Sequence, residues 1–310
     1  MLTNTFCHIP GIGPRREERL WASGCRHWDD CLSRTRLPLS RYQSESVLTW
    51  LERSREHLRK GDPSFFASAM QPNLLWRLFP EFRDEVAYLD IETTGLGLPP
   101  AGAVTTVVLY DGRAVSWFVQ GQNLHEFPEA VSRYKILVTY NGKCFDIPFL
   151  ERFFRMPLPQ THIDLRYLLA SLGYKGGLKG CESQLGIGRG DLEGVDGYFA
   201  VLLWEEYMRQ GSREALDTLL AYNIQDTVNL ETLMVKAYNL KLQETPFAGT
   251  HELPLPRVPE SPFRPHPETI ERIRRKISAP LPLGSVQIEP SLNDLLPSLG
   301  SLLKKRLGAG

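Results

Sequence analysis

The sequence predicts an α/β fold, a mixed sheet flanked by helices, with a small helical segment at the N-terminus. Three observations predict it. Val86, Ala87, Leu89 and Ile91 form an apolar run that reads as a buried strand over 85–91. Two further strands, 103–110 and 113–119, face each other across a turn at Asp111 and Gly112. From about residue 164 to 242 the pattern is mainly helical.

Taken in order, residues 1–36 hold a Gly11-Ile12-Gly13 turn, then Pro14, Arg15, Arg16, Leu20 and Trp21 on a helix that Gly24 is placed to end. This segment resembles a helix-hairpin-helix element, in which glycines let backbone amides approach a phosphate at a helix N-terminus. The first helix of that pair has little room, and Glu17 stands where the pattern usually has a small residue. Gly11 and Gly13 are therefore candidates for contact with a nucleic-acid backbone, the alternative being a turn that docks the segment on the core. Residues 37–82 read as a helical connector, with Val47, Leu51 and Leu58 on one face and Pro72 opening a later segment.

Residues 83–244 make the main domain. After the three strands come a helix at 125–134 and a buried strand at 136–140 that delivers Asn141. Beyond 244, Pro246, Pro254, Pro256, Pro259, Pro262, Pro265 and Pro267 argue against continuous helix or sheet, so 245–310 is expected to be a flexible tail. Within it, 268–277 and the LLKKRL run are candidates for short basic helices.

Five side chains carry the chemistry. Asp90 and Glu92 lie two apart on the first strand, so both carboxylates project from one face. Asp146 follows in YNGKCFDIPFL, and Tyr222 and Asp226, four apart on a helix, share one side. Taken alone, Asp90 and Glu92 also suit a solvated strand face, Asp146 a helix N-cap, and Tyr222 with Asp226 an ordinary amphipathic helix. Together, neighbouring carboxylates need a compensating cation, and an all-oxygen ligand set suits a hard ion such as Mg²⁺ or Mn²⁺.

The order Asp-x-Glu, Asn-x-x-x-Phe-Asp (Asn141, Phe145, Asp146) and Tyr-x-x-x-Asp resembles the three motifs of the DEDD exonucleases, in their tyrosine-bearing subclass. GLKGCESQLGI at 177–187, LLWEEY at 202–207 and AYNIQDTVNLETL at 221–233 are similar to the ribonuclease H-like, YprB-type family. The resemblance implies a ribonuclease H-like sheet and a 3′→5′ exonuclease that hydrolyses single-stranded DNA or RNA from 3′ ends. It implies two divalent metal ions about 4 Å apart. Asp90 would bridge both, Glu92 and Asp226 would hold the ion that activates water, and Asp146 the other. Tyr222 would orient the nucleophile or help deprotonate it. Thr93, Leu96, Asn141 and Phe145 would meet the terminal nucleotide. Two rival readings are a structure-specific endonuclease and an inactive nucleic-acid-binding scaffold. Asp164 reads as a helix cap or an extra ligand, and His162 beside it as a dispensable base.

Composition fits this picture. The 310 residues, 42% hydrophobic, suffice for one main core and a small extra module. The five cysteines are odd in number and form no C-x-x-C, which argues against a disulfide framework or zinc knuckle. No basic-then-apolar leader and no run of about 18 apolar residues is present, so a cytoplasmic protein without a membrane partner is expected. The formal net charge of +0 hides an asymmetry: residues 1–60 carry 11 Lys+Arg against 7 Asp+Glu, and 247–310 carry 9 against 6, leaving the centre acidic. An acidic centre with basic ends fits a metal site flanked by phosphate-binding surfaces.

Overall fold

The computed structural model describes residues 1–95 and 97–278. Four helices come first: α1 (Pro14–Ala22), α2 (Trp28–Leu32), α3 (Arg41–Arg59) and α4 (Pro63–Ala69). Their entries follow from side chains. Pro14 opens α1 at its first position, Ser40 and Gln43 form a capping box on α3, and Asp62 caps α4 ahead of Pro63. The segment after Pro72 is a 3₁₀ stretch, Pro72–Leu78.

Strands β1 (Val86–Thr93), β2 (Val104–Tyr110) and β3 (Val115–Val119) form an antiparallel meander. After α5 (Phe127–Val131) come β4 (Ile136–Thr139), α6 (Asp146–Phe154) and β5 (Thr161–Asp164). β4 pairs parallel with β1 and β5 parallel with β4, giving the order β3-β2-β1-β4-β5. Helices α7 (Leu165–Ser171), α8 (Gly177–Gln184), α9 (Gly197–Gln210), α10 (Arg213–Leu242) and α11 (Pro267–Ser278) complete the chain. The expected mixed sheet flanked by helices is what forms. One strand, β5, lies where the sequence shows no element, just ahead of the helical stretch from about 164: it is four residues long and ends on the Asp164 that caps α7.

Alternation along β1 divides the core. Ala87, Leu89 and Ile91 face α5 and α6, with Phe127, Val131, Phe149 and Leu150. Val86 and Tyr88 face the other way, into a core shared with α7, α10 and the N-terminal helices. Asp90 and Glu92 continue that second set, so strand period alone directs them toward α10.

The N-terminal segment joins the same core through Leu2, Phe6, Leu20, Trp21 and Trp28. Its first helix is only a 3₁₀ turn, Leu2–Asn4. Glu17 is buried, and it accepts bonds from the Thr5 hydroxyl at 2.6 Å and the Phe6 amide at 2.7 Å while pairing with Arg77 at 2.6 Å. A carboxylate stands at this position because the amides and the guanidinium around it need an acceptor. Gly11, with φ +81°, and Gly13, the extended N-cap of α1, remain exposed, and Arg16 donates to the Gly11 carbonyl.

Residues Met1–Ile270 form one compact unit. The proline-rich stretch expected to be flexible is anchored over its first part. Asn239 clasps the Leu253 backbone with bonds of 2.8 and 2.9 Å, Phe263 meets Trp117 edge-on at 5.1 Å, and the His266 amide donates to Thr218. Prolines remove backbone donors, so side chains of the folded body supply the anchors. The second unit begins at Glu271 and is described to residue 278, the end of α11, which covers the expected 268–277 helix. The LLKKRL run lies outside the described residues.

Candidate active site

Asp90 and Glu92 sit near the end of β1, where the pairing with β2 shifts register between Glu92 and Thr93. β4 pairs with β1 only over residues 86–88, so the strand edge at 90–92 is left to other elements. The Asn141–Asp146 turn comes in there. Asn141 adopts φ +66°, and Gly142 packs so tightly that a Cβ would lie 2.3 Å from the Thr139 hydroxyl. Asp164 ties this turn down, accepting from the amides of Asn141 at 2.8 Å and Lys143 at 3.0 Å as well as capping α7. Its carboxylate oxygens are thus committed to backbone. His162 bonds Thr139 at 2.8 Å.

Oxygens of Asp90, Glu92 and Asp226 lie within 4.8 Å of one another. Asp146 is outside this tight trio but close enough to raise the carboxyls of both Asp90 and Glu92. It is not the helix cap its sequence suggests. Phe145 occupies that position, and Asp146 is the first helical residue, buried and held by its own amide and that of Ile91. Burial, and then repulsion among these carboxyls, pushes Asp90 and Glu92 well above the ordinary carboxylate range, and burial takes Asp146 to about 7.

Tyr222 and Asp226 lie one turn apart on α10, both buried. Burial, with Asp226, Glu92 and Asp90 around it, drives the Tyr222 phenol far above its usual range, so it stays protonated. Thr93 is half-buried, and Phe145 is 40% exposed beside Phe149 rather than packed away. Leu96 lies outside the described residues. A cavity of about 490 Å³ opens beside Asp90, lined by Tyr140, Asn141, Arg166, Tyr174 and Lys175.

Five further residues shape the site. Asn223 donates to Asp90 at 2.6 Å and accepts from Thr106 at 2.8 Å. Arg189 bridges Asp226 and Glu182, and Asn229 donates to the other oxygen of Glu182 at 2.7 Å. The Lys179 ammonium lies 5.0 Å from the Tyr222 ring centroid and donates to the Val195 carbonyl. The sequence held a signal for Asn223 and Asn229, since both fall within a turn of Asp226 on α10. Arg189, in an irregular turn, left none.

The donor set suits a divalent ion. Three carboxylates crowd into 4.8 Å, and hard oxygen ligands are what Mg²⁺ or Mn²⁺ prefers. No thiol or imidazole takes part in that trio.

No curated protein matches the chain. The family B DNA polymerase from the hyperthermophilic archaeon Pyrobaculum calidifontis is similar in structure at 14% identity and TM-score 0.38, over 51% of this chain. The chain spans about a quarter of that polymerase's length, 26%. The RNase_H_2 family model, of the RNase_H superfamily, matches residues 87–238, the stretch from β1 to α10 that holds Asp90, Glu92, Asp146 and Asp226. Residues 87–238 match an RNase H-superfamily domain, and the mixed five-stranded sheet flanked by helices is consistent with that fold.

Proposed function

We propose that this domain is a metal-dependent 3′→5′ exonuclease of the tyrosine-bearing DEDD, YprB-type kind, acting on single-stranded DNA or RNA. The observation that carries the reading is the convergence of Asp90, Glu92 and Asp226 from two distant elements into 4.8 Å, with Asp146 beside them. Asp90, Glu92, Asp146 and Asp226 would hold two divalent ions, Mg²⁺ or Mn²⁺, which when bound supply Lewis acidity and a water activated at neutral pH.

The remaining steps fall to the chain itself. Tyr222, one turn before Asp226 on α10, orients the attacking water or helps deprotonate it. Asn223 fixes one oxygen of Asp90 and so sets how that carboxylate faces the substrate. The cavity beside Asp90 has room for a nucleotide, and its tyrosines and Arg166 offer stacking and charge. Thr93, Asn141 and the exposed Phe145 frame the position of the last nucleotide. The exposed Gly11–Gly13 turn, next to Arg15 and Arg19, is a second contact for the phosphate backbone.

The test is nucleotide release from 5′- and 3′-labelled strands, DNA and RNA, with Mn²⁺ or Mg²⁺, alongside a closed circle. Stepwise shortening from the 3′ end and an intact circle are expected. Efficient cutting of the circle would replace the reading with an endonuclease, and metal-independent or absent hydrolysis would overturn it.

A further inference from the structure

We infer that Arg189, anchored by Glu182 and Asn229, is a positioning residue for the metal site: it fixes one oxygen of Asp226 so that the other is presented to the ion. The inference rests on the metal-site reading above and extends it to residues outside the ligand set.

The network is buried, with both η nitrogens of Arg189 paired and its Nε without a hydrogen-bond partner. One η nitrogen of Arg189 meets Asp226 and the other meets Glu182, and the side chains of Arg189, Glu182 and Asp226 are 4%, 1% and 6% exposed. Asn229, one turn beyond Asp226 on α10, donates to the remaining oxygen of Glu182. Burial would lower the Arg189 guanidinium, but Asp226 and Glu182 outweigh it and keep it charged.

Two alternatives are less consistent with this arrangement. As a plug that leaves when metal arrives, Arg189 would abandon Glu182 as an unpaired buried carboxylate, a costly outcome. As a counter-charge for the acidic cluster, it would have to be unspent, whereas its charge is already matched by Glu182. The pair adds no net charge, so the four carboxylates still balance two divalent ions. What the guanidinium does supply is direction: its planar fork holds two carboxylates at a fixed angle, which an ammonium does not reproduce. Groups that orient metal ligands in this way typically change metal affinity or activity by about 10–100-fold when removed.

The test is Mn²⁺ binding to the full chain, followed by electron paramagnetic resonance, with thermal unfolding recorded on the same samples. The double variant Arg189→Met/Glu182→Gln removes both charges together and keeps the site's net charge. It is expected to unfold near the wild-type temperature and to bind Mn²⁺ about 10–100-fold more weakly. Arg189→Lys keeps the charge without the fork and is expected to lose affinity too, which keeps the inference testable if the double variant fails to fold. Unchanged or tighter Mn²⁺ binding in either folded variant would overturn it. Asp226→Asn separates the two readings: loss of binding there with retention in the double variant sinks only the positioning role, while retention in Asp226→Asn sinks the metal site itself.

Discussion

Two buried ionic centres in this chain obey the same rule and end in opposite states. Around Glu17, the carboxylate is answered in full by Arg77, the Thr5 hydroxyl and the amides of Phe6 and Cys7. Around Asp90, four carboxylates meet, and the guanidinium that reaches them is already shared with Glu182. A buried charge is tolerated when paired and expensive when not. The first centre therefore holds the fold together on its own. On the proposed reading, the second is completed by cations from outside, which would separate a site from a structural ion pair.

The largest expected break in that comparison is functional. Asp90→Asn should cut nuclease activity by more than the about 100-fold that losing a supporting group outside the ligand set can cost. It should not lower the unfolding temperature of the metal-free protein, because one repelling charge is gone. Arg77→Met should do the reverse, costing about 3–5 kcal/mol of stability by stranding Glu17, with activity per folded molecule unchanged. Denaturant unfolding and turnover on the same samples check both.

Next in size is the response to metal. Mn²⁺ at a hundredfold over its dissociation constant should stabilise the protein by about 2.7 kcal/mol. That gain should persist in the Arg77 variant and vanish in Asp226→Asn, read as the shift in thermal unfolding with and without chelator.

The pH response should have opposite signs at the two centres. His8 packs between Trp28 and Phe66, and burial, then Arg77, takes its imidazole down to about 3. Ser54 donates to the Trp50 carbonyl, so His8 donates from Nε2 to Ser54 and is neutral. The unfolded chain binds the proton that folded His8 refuses, so stability is lost as pH falls from about 6.5 toward 3. At the acidic cluster the folded state holds protons more tightly than the unfolded one, so in chelator its contribution falls as pH rises from about 4 to the value of about 7 reached by Asp146. His8→Phe should flatten the acid side of the stability profile and Asp146→Asn the neutral side. Swapped or absent effects would break the contrast.

The smallest effect is expected at Gly11. Its φ of +81° is a conformation that costs an L side chain about 1 kcal/mol, and an added Cβ would meet the Arg16 guanidinium only at an ordinary contact distance of 3.7 Å. Gly11→Ala should lower stability by about that much and leave metal binding alone.

Much of this was legible in the sequence because it depends on period. Asp90 and Glu92 share a face since strands repeat every two residues, and Tyr222 and Asp226 share one since helices repeat near four. The rest depends on contacts that no local period encodes. Arg189 reaches the site from an irregular turn and is separated from Asp226 by 37 positions. β5 is too short to stand out from the helix it feeds. Asp146 looks like a cap because Pro148 follows it, yet its carboxylate turns inward to an amide of β1. The prolines after 244 read as loss of structure, while the groups that pin them, Asn239 and Trp117, lie on other elements.

The central claim is most directly tested by anomalous X-ray scattering from crystals grown with Mn²⁺. The account predicts two manganese peaks, one within coordination distance of Asp90, Glu92 and Asp226 and a second reaching toward Asp146. Ordered Asp90, Glu92 and Asp226 carboxylates at saturating Mn²⁺ with no peak among them would contradict it.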